Sequence, residues 1–499
     1  MFIGIELANS NNSKEKPLSQ MRIALTAIDL EQSEHRGIAY LSKSLISSLS
    51  DLGAEVYLLT GFYGRRLNPL MKFSMSEQSI IEVDCADILD QLSNPSKRLK
   101  KRKVKTNLNL EEDFITRLMN KLIKFRNQSR LTLDLLFSVF RFYLNRGKFS
   151  GRLINLSNFQ NSPYFGQERL GYLSKVSGFL SIRDIYNFST LRSKRLLFKS
   201  PTIDLRKHDI DLLITSCPLS INSITNTKNS HSCLQLIMDF IPLSFSKHPD
   251  HPFGFYNRLK DAMSTKSCFI SKASRDKICS LLGESCTFDN QNIIYPMPSL
   301  EVNKLKLASK IKNFRNLNKK YILFNSSVVP RKNLHFLINI FKSSLIYSSG
   351  FDLCVAGKIH DDQYGEDIKS MCQSESNIKL LDYVNEAEKA WLFLNAYAFI
   401  SPSCVEGFGI PVLDALSLGL RVLASDLPSH KEIASLVQAN DDFRLLDLSN
   451  VDGWINELNQ LNKIDLCLDD EIQNRLSKYN YCFNYLKQNF EKNIVDLFA

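Results

Sequence analysis

The sequence has no CxxC pair and no His/Cys cluster at metal-ligand spacing, although eleven cysteines are scattered through its 499 residues. In a chain of this length that excludes a disulfide scaffold and a structural zinc site, and reads as reduced thiols in a cytoplasmic protein. No uncharged apolar run reaches the roughly 18 residues that a spanning helix needs. The opening MFIGIELANSNNSKEKPLSQ is short of apolar residues and soon turns polar, so no signal peptide is expected. Residues 1–20 read as a disordered leader, and Met21 is a second candidate start because MRIALTAI opens a buried strand. A D-x-D pair at a strand end, a common grip for a phosphate-bound metal, is missing too. Asp209-Ile210-Asp211 precedes a strand, so no metal site is expected.

Hydrophobic content of 44% and charged content of 23% are those of a globular protein long enough for two cores. The net charge of +11 is unevenly spread. Between Lys97 and Lys199 stand 23 Lys and Arg against 6 Asp and Glu, a balance of +17, which leaves −6 for the rest. The basic character therefore belongs to one region.

The first 60 residues alternate strand, loop, helix and strand. MRIALTAI is followed by EQSEHRG, by IAYLSKSLISSLSDLG with helical spacing, and by AEVYLLTG. This is a βαβ unit and predicts a parallel sheet. Residues 62–200 break the rhythm with the charge run KRLKKRKVK and helical patterns without strands. Short apolar runs return in DIDLLITSCP, HSCLQLIMDFIP and SCFISKAS. A polar linker over Met297 to Lys312 precedes a second βα series: KYILFN, FDLCVAGK, NIKLLDYV, AYAFISPS and LRVLASD. Two such series predict two doubly wound domains, with ligands beyond the carboxyl ends of the strands. An aromatic-rich last helix, LSKYNYCFNYLKQNFEKNIVDLF, is expected to pack back across both.

SPSCVEGFGIPVLDALSLGL is the most informative stretch. Glu406 stands before Gly407-Phe408-Gly409, and Asp414 follows eight positions after Glu406. A buried strand, a glycine turn and a helix start make an anion cradle, in which backbone N–H groups and the helix N-terminus face the ligand. Pro411 fits the first helical turn. The plain alternative is a surface Glu and a helix-dipole Asp. A second candidate is VVPRKN, where Arg331 and Lys332 follow the strand YILFN. Two cations at a strand-to-helix turn suit a diphosphate, or else form a solvated loop. His35-Arg36, in the first loop, read as solvated, and Asp239 alone reads as well as a strand-end turn residue.

These segments resemble the retaining group 1 glycosyltransferases of GT-B fold. SPSCVEGFGIPVLDALSLGLRVLASDLPSHKEI resembles that family's nucleotide-binding signature, and KYILFNSSVVPRKNLHFLINIFK its phosphate-binding turn. Weaker likeness extends to MRIALTA…RGIAYLSKSLISSL, LQLIMDFIPLSF and CFISKASRDKI, while residues 62–200 resemble nothing known. The resemblance implies an α/β GT-B fold, two Rossmann-like doubly wound domains facing across a cleft. The acceptor-side domain would span residues 21–298, with a basic helical insertion at about 62–200. The nucleotide-sugar domain would span 314–475, and the last helix 476–499.

It also implies roles. Glu406 would meet the sugar hydroxyls, with Asp239 as the second catalytic group. Backbone N–H groups of Gly407, Phe408, Gly409 and Ile410 would meet sugar and phosphate. Asp414, where the family usually has Glu, would hold the ribose, and Arg331 and Lys332 would neutralise the diphosphate. Gly37 would approach the phosphate from the opposite domain, and Gly357 and Val384 lie where the base is held. Ser326 stands where many members have Gly. Met238 stands where many have His, and Met238 reads as a changed acceptor or sugar contact. The implied partners are a GDP- or UDP-sugar and a glycan or lipid-linked acceptor, with no cofactor. The reaction would be metal-independent and retaining, in surface polysaccharide or glycolipid synthesis. The alternatives are a GT-B epimerase or phosphorylase, and a non-catalytic GT-B subunit docking through its basic insertion.

In the insertion, LTLDLLFSVFRFYLNRG sets Leu131, Leu135, Phe137, Val139, Phe142 and Leu144 partly along one side, with Arg130, Arg141 and Arg146 flanking. It is either a basic amphipathic helix at an anionic membrane surface or a core helix with a solvated face. The first reading puts the chain at the inner face of a membrane. Nucleic acid is not expected, because KRLKKRKVK lacks interleaved aromatics.

Overall fold

Short apolar runs that end in polar turns become two separate parallel sheets in the computed structural model. It describes residues 16–32, 37–64, 74–95, 136–226, 232–245, 251–283, 293–311, 317, 320–439, 441–463 and 468–498. The first half carries β1 (Arg22–Thr26), β2 (Glu55–Thr60), β3 (Lys148–Phe149), β4 (Arg152–Asn155), β5 (Gly178–Ser181), β6 (Thr202–Asp204), β7 (Leu212–Thr215), β8 (Asn222–Ile224), β9 (Cys233–Ile237) and β10 (Lys266–Phe269). Seven of them form one sheet in the order β10-β9-β7-β1-β2-β5-β4, while β3, β6 and β8 form a small sheet of their own. All pairs in the large sheet are parallel except β4 with β5. All five residues of β9 are buried, as expected of a strand covered on both faces.

The second half carries β11 (Tyr321–Asn325), β12 (Asp352–Ala356), β13 (Ile378–Asp382), β14 (Ala398–Ser401), β15 (Arg421–Ser425) and β16 (Phe443–Leu446). They form a wholly parallel sheet in the order β13-β12-β11-β14-β15-β16. The order reverses between β11 and β14, so the crevice of this doubly wound sheet opens beyond those two strands. In the first sheet the reversal falls between β1 and β7.

Four expectations need correction. Residues 62–200 are not strand-free, since β3, β4 and β5 lie within them. These strands are two to four residues long, too short to show alternation. GFLS becomes β5 only because β2 offers it a ladder, from Tyr57↔Gly178 to Thr60↔Ser181. The leader is ordered from residue 16: Leu18 is buried and its N–H donates to Leu52 O. One apolar residue in a polar stretch carries no periodic signal; residues 1–15 lie outside the described residues, as does KRLKKRKVK. The polar linker holds a helix, Val302–Ala308. Eight of the described cysteines are free, but Cys279 is disulfide-bonded, and pairing depends on a spatial separation that spacing does not encode.

The last helix runs Leu468–Phe498, two turns longer than expected, and ties both halves together. Arg475 Nη1 donates to Leu394 O and Ala396 O of the second half, and Tyr479 Oη to Leu300 O before the linker helix. Lys487 pairs with Asp51 at 2.8 Å, and Lys266 Nζ donates to Leu497 O. One apolar core accordingly runs through both halves, from Leu25 and Leu236 to Phe399 and Phe490.

Asp29 lies just past the carboxyl end of β1, beside the reversal point of the first sheet. Ser216 Oγ donates to it at 2.6 Å. Burial pushes this carboxyl up from 3.8 to about 6, with the Ser216 hydrogen bond opposing. Its folded value lies above the ordinary one. The stability linked to its protonation is therefore full below pH 3.8 and lost as pH rises through about 6. Asp29→Asn should raise stability by roughly 1–3 kcal/mol at pH 8 and by little at pH 4. Urea denaturation at both pH values checks this, and equal effects would refute it.

Candidate active site

The turn after β14 and the turn after β11 meet because their strands are neighbours. Cys404 N–H donates to Arg331 O at 2.8 Å, which stitches the two turns together. Glu406 lies between the two cations. Arg331 Nη1 is 3.2 Å from its Oε2, Lys332 Nζ contacts its Oε1, and Ser403 Oγ donates to Oε1 at 2.7 Å. The acid and Lys332 are buried, whereas the Arg331 side chain keeps 22% exposure. Burial alone would raise the Glu406 carboxyl, but Lys332 and then Arg331 overcome it and hold the group at about 2. Lys332 is lowered by its burial, with Glu406 opposing.

Beyond Glu406 the backbone itself forms the wall. Gly409 has φ +115° and caps the helix Ile410–Ser417, whose second residue is Pro411. That conformation suits glycine; Pro411 brings no N–H, and Val412 N and Leu413 N both donate to Gly409 O, which closes the first helical turn. Gly407 is pressed against the first half: a Cβ there would lie 2.5 Å from Asp239 Cβ and 2.7 Å from Met238 O. Asp239 lies two residues past β9, accepts from Ile241 N at 3.1 Å, and its charge reaches Lys332. Ser271 Oγ and Ser274 Oγ, past β10, both donate to Gly407 O. Gly37 faces Ile410 across the same gap, its Cβ position 3.6 Å from Ile410 Cδ1. His35 and Arg36 lie outside the described residues.

Glu406, Arg331, Lys332, Gly407, Gly409, Ile410, Asp239 and Gly37 thus converge where the carboxyl ends of β9 and β10 face those of β11 and β14. Ser326 and Gly357 form an adjoining rim: Ser326 N donates to Ala356 O, and Gly357 N to Asp382 O. Val384 is nearly buried two residues further on, beside the exposed Tyr383. Phe408 turns inward, 3% exposed and 6.0 Å from the Tyr295 ring, so only its backbone faces the turn.

Asp414 departs from expectation. It is fully buried, and its carboxylate accepts from Ser299 N, Ser299 Oγ and Lys389 Nζ, the last at 3.3 Å. Lys389 Nζ also donates to Ser299 Oγ at 2.6 Å. The side chain expected to hold a ribose is committed to the segment that joins the halves. A carboxylate one methylene shorter than Glu stays within reach of these partners.

Sequence reading missed two residues beside the turn. His430 is fully buried, with Nδ1 2.8 Å from Ser425 O; since a carbonyl only accepts, Nδ1 carries the proton. Its Nε2 has no hydrogen-bond partner among the described residues and lies 3.2 Å from the Cβ position of Gly409. Burial lowers its pKa, with the Ser425 contact and Glu406 opposing. Glu432 accepts from Lys272 N and Ala273 N, capping a helix of the other half. SHKE gave no signal for either, because their value depends on what faces them.

Residues 306–481 match the family model "Glycosyl transferases group 1". Over 115 residues the chain is 29% identical to O-antigen chain mannosyltransferase B of Escherichia coli, covering 23% of this chain and 30% of that protein. Over 155 residues it is 24% identical to the phosphatidyl-myo-inositol mannosyltransferase of Mycobacterium leprae, covering 30% and 41%. The chain thus spans less than half the length of the curated relatives it matches. Among solved structures, sucrose-phosphate synthase of Thermosynechococcus elongatus aligns over 96% of this chain and 100% of its own, with TM-score 0.53 and 12% identity. Anabaena HepE in complex with UDP aligns over 96% and 99%, with TM-score 0.50 and 12% identity. At such identities the likeness shows the fold, the GT-B pairing of two Rossmann-like domains.

Asp414→Ala should cost about 3–5 kcal/mol of stability, because it leaves Lys389 buried without its partner. Equilibrium urea denaturation checks this. A near-normal unfolding midpoint with weakened nucleotide binding would restore the ribose role to Asp414.

Proposed function

We propose that the chain is a glycosyltransferase that moves a hexose from a nucleotide-diphosphate sugar to a glycan or lipid-linked acceptor, with retention of configuration. The observation that carries this reading is the buried ion triad of Glu406, Lys332 and Arg331, set at the reversal point of the second sheet and faced by Asp239. Support for the family comes from the match over residues 306–481. Support for a surface polysaccharide or glycolipid comes from relatives named for transfer to an O-antigen chain and to phosphatidyl-myo-inositol.

The geometry suggests how binding and chemistry share the same charges. A diphosphate entering the turn competes with Glu406 for Arg331 and Lys332. Both cations can turn to phosphate oxygens, aided by backbone N–H groups of the turn from Gly407 to Ile410. Glu406 is then released to accept hydrogen bonds from sugar hydroxyls. As the bond from the anomeric carbon to the phosphate oxygen lengthens, charge builds on that oxygen, where the cations already stand. The acceptor hydroxyl attacks from the same face, a new C–O bond forms, and its proton passes to the departing phosphate oxygen. Positive charge at the leaving group is supplied by these side chains, so the reading needs no metal there. Asp239, on the opposite wall, is placed to orient the acceptor or the sugar. Ser326, Gly357 and Val384 form the rim assigned to the base.

Glu406→Ala and Lys332→Ala should each lower turnover at least ~100-fold, the usual loss for one such contact. A screen of UDP- and GDP-sugars, read by mass spectrometry of the product, measures it. Lys332→Ala should also weaken nucleotide diphosphate binding, whereas Glu406→Ala should leave it intact. Near-normal turnover in both variants would overturn the assignment. Tight nucleotide binding by the unaltered chain without transfer from any donor would favour a non-catalytic subunit.

A further inference from the structure

The basic insertion builds a second polar cavity that the transfer reading does not use. It lies beside the carboxyl ends of β2 and β5 and the start of β4, toward the opposite end of the first sheet from β9 and Asp239. The cavity measures about 580 Å³, and Arg141, Lys148, Arg152, Arg183 and Lys207 line it against one carboxylate, Asp84. Asp84 holds Arg152 at 2.5 Å, and Asp184 holds Arg141 at 3.3 Å and Arg183 at 3.4 Å. Arg183 also lies 4.5 Å over the Tyr63 ring. Lys148 and Lys207 are exposed and make no ion pair among the described residues. Burial lowers the Arg141 pKa, and nearby Arg183 adds to the effect against Asp184. Cations crowded beyond their own counter-charges make a site for an oxyanion.

One wall of this cavity is also an apolar ledge. Residues 136–144 are helical, and Arg141 in that helix lines the cavity along with Asn145 just after it. Phe142 turns inward, fully buried, 5.5 Å from Phe188. Leu136, Phe137, Phe140 and Leu144 face out, each 60–70% exposed. Phe198 stands out at 91%, and the next residue, Lys199, lies against Gly147 at the end of the same helix. Arg146, Lys148 and Lys199 rim the ledge, all exposed. A core helix would hide such side chains, so of the two readings of this segment the geometry favours the interfacial one; residues 130–135 lie outside the described residues. Among the described residues no helix is long and apolar enough to cross a membrane. A polyanion such as nucleic acid would meet the cations and leave the phenylalanines in water. An anionic bilayer surface satisfies both, with rings among acyl chains and cations among phosphates.

We propose that this ledge inserts into an anionic membrane surface and that the adjoining cavity takes the phosphate of one lipid head group. The inference does not rest on the transferase reading, and its test leaves the EGFG turn untouched. The full chain is floated with vesicles of phosphatidylcholine, with and without phosphatidylglycerol. It should bind only where phosphatidylglycerol is present. Phe137→Ser with Phe198→Ser, and separately Lys148→Glu with Lys207→Glu, should each weaken that binding at least about tenfold. All four side chains are exposed, so thermal midpoints should stay unchanged, which separates lost binding from lost folding. Equal binding to neutral vesicles, or unaltered binding by either double variant, would overturn the proposal. So would capture of glycerol phosphate in solution without vesicle binding, which would make the cavity a site for a soluble anion. Preference for nucleic acid over vesicles in direct competition would overturn it as well.

Discussion

Glu406 is a nearly buried carboxylate, and its burial is tolerable only because two cations and a serine hydroxyl surround it. An ion left alone in such a place is penalised by several kcal/mol even after relaxation. Lys332, equally buried, faces the same penalty, so acid and base hold each other in place. The cations come from the turn after β11 and the acid from the turn after β14. The triad therefore forms only where these strands are neighbours, at the point where the strand order reverses. Fold and site are one constraint here: the topology opens a crevice there, and the triad fills it with charge.

The same turn is also the seam between the halves. Gly407 carries no side chain where Met238 and Asp239 press on it, and its carbonyl accepts from Ser271 and Ser274. Glu432 caps a helix of the opposite half through two backbone N–H groups. A second brace lies behind, where Asp414 and Lys389 grip Ser299, and the last helix crosses both halves. A ligand at the triad would touch backbone that already sets how closely the halves approach. Binding and closure would thus draw on the same contacts, while the brace behind is independent of the ligand.

Much of this was legible because it is local. β9, β11 and β14 are each a short run of buried residues, and a parallel sheet covered on both faces leaves that trace. The EGFG turn was legible because φ of +115° at Gly409 and the tight contact at Gly407 both call for residues without a side chain. The pairing of PRKN with EGFG, by contrast, is a matter of strand adjacency, which the family likeness suggested and no spacing encodes. β4 and β5 were illegible for a related reason: RLIN and GFLS acquire strand geometry only from the neighbours that accept their hydrogen bonds.

Asp414 shows how far a motif can be read before tertiary context takes over. A glycine turn and one helical turn after Glu406 are enough to place an acid near a cleft, and the family pattern puts a ribose contact there. Whether the side chain reaches that cleft depends on its length and on what else offers it hydrogen. Here the shorter acid finds Ser299 and Lys389, a hydroxyl and an ammonium that are themselves nearly buried. Turning outward would strand that ammonium, and the loss would exceed what one exposed hydrogen bond to a sugar hydroxyl returns. Position in the motif set the candidates, and burial decided between them. The same logic divides the cations of this chain: Lys332 is fixed by an acid it cannot leave without a substitute, whereas Lys148 and Lys207, beside a cavity, make no ion pair among the described residues.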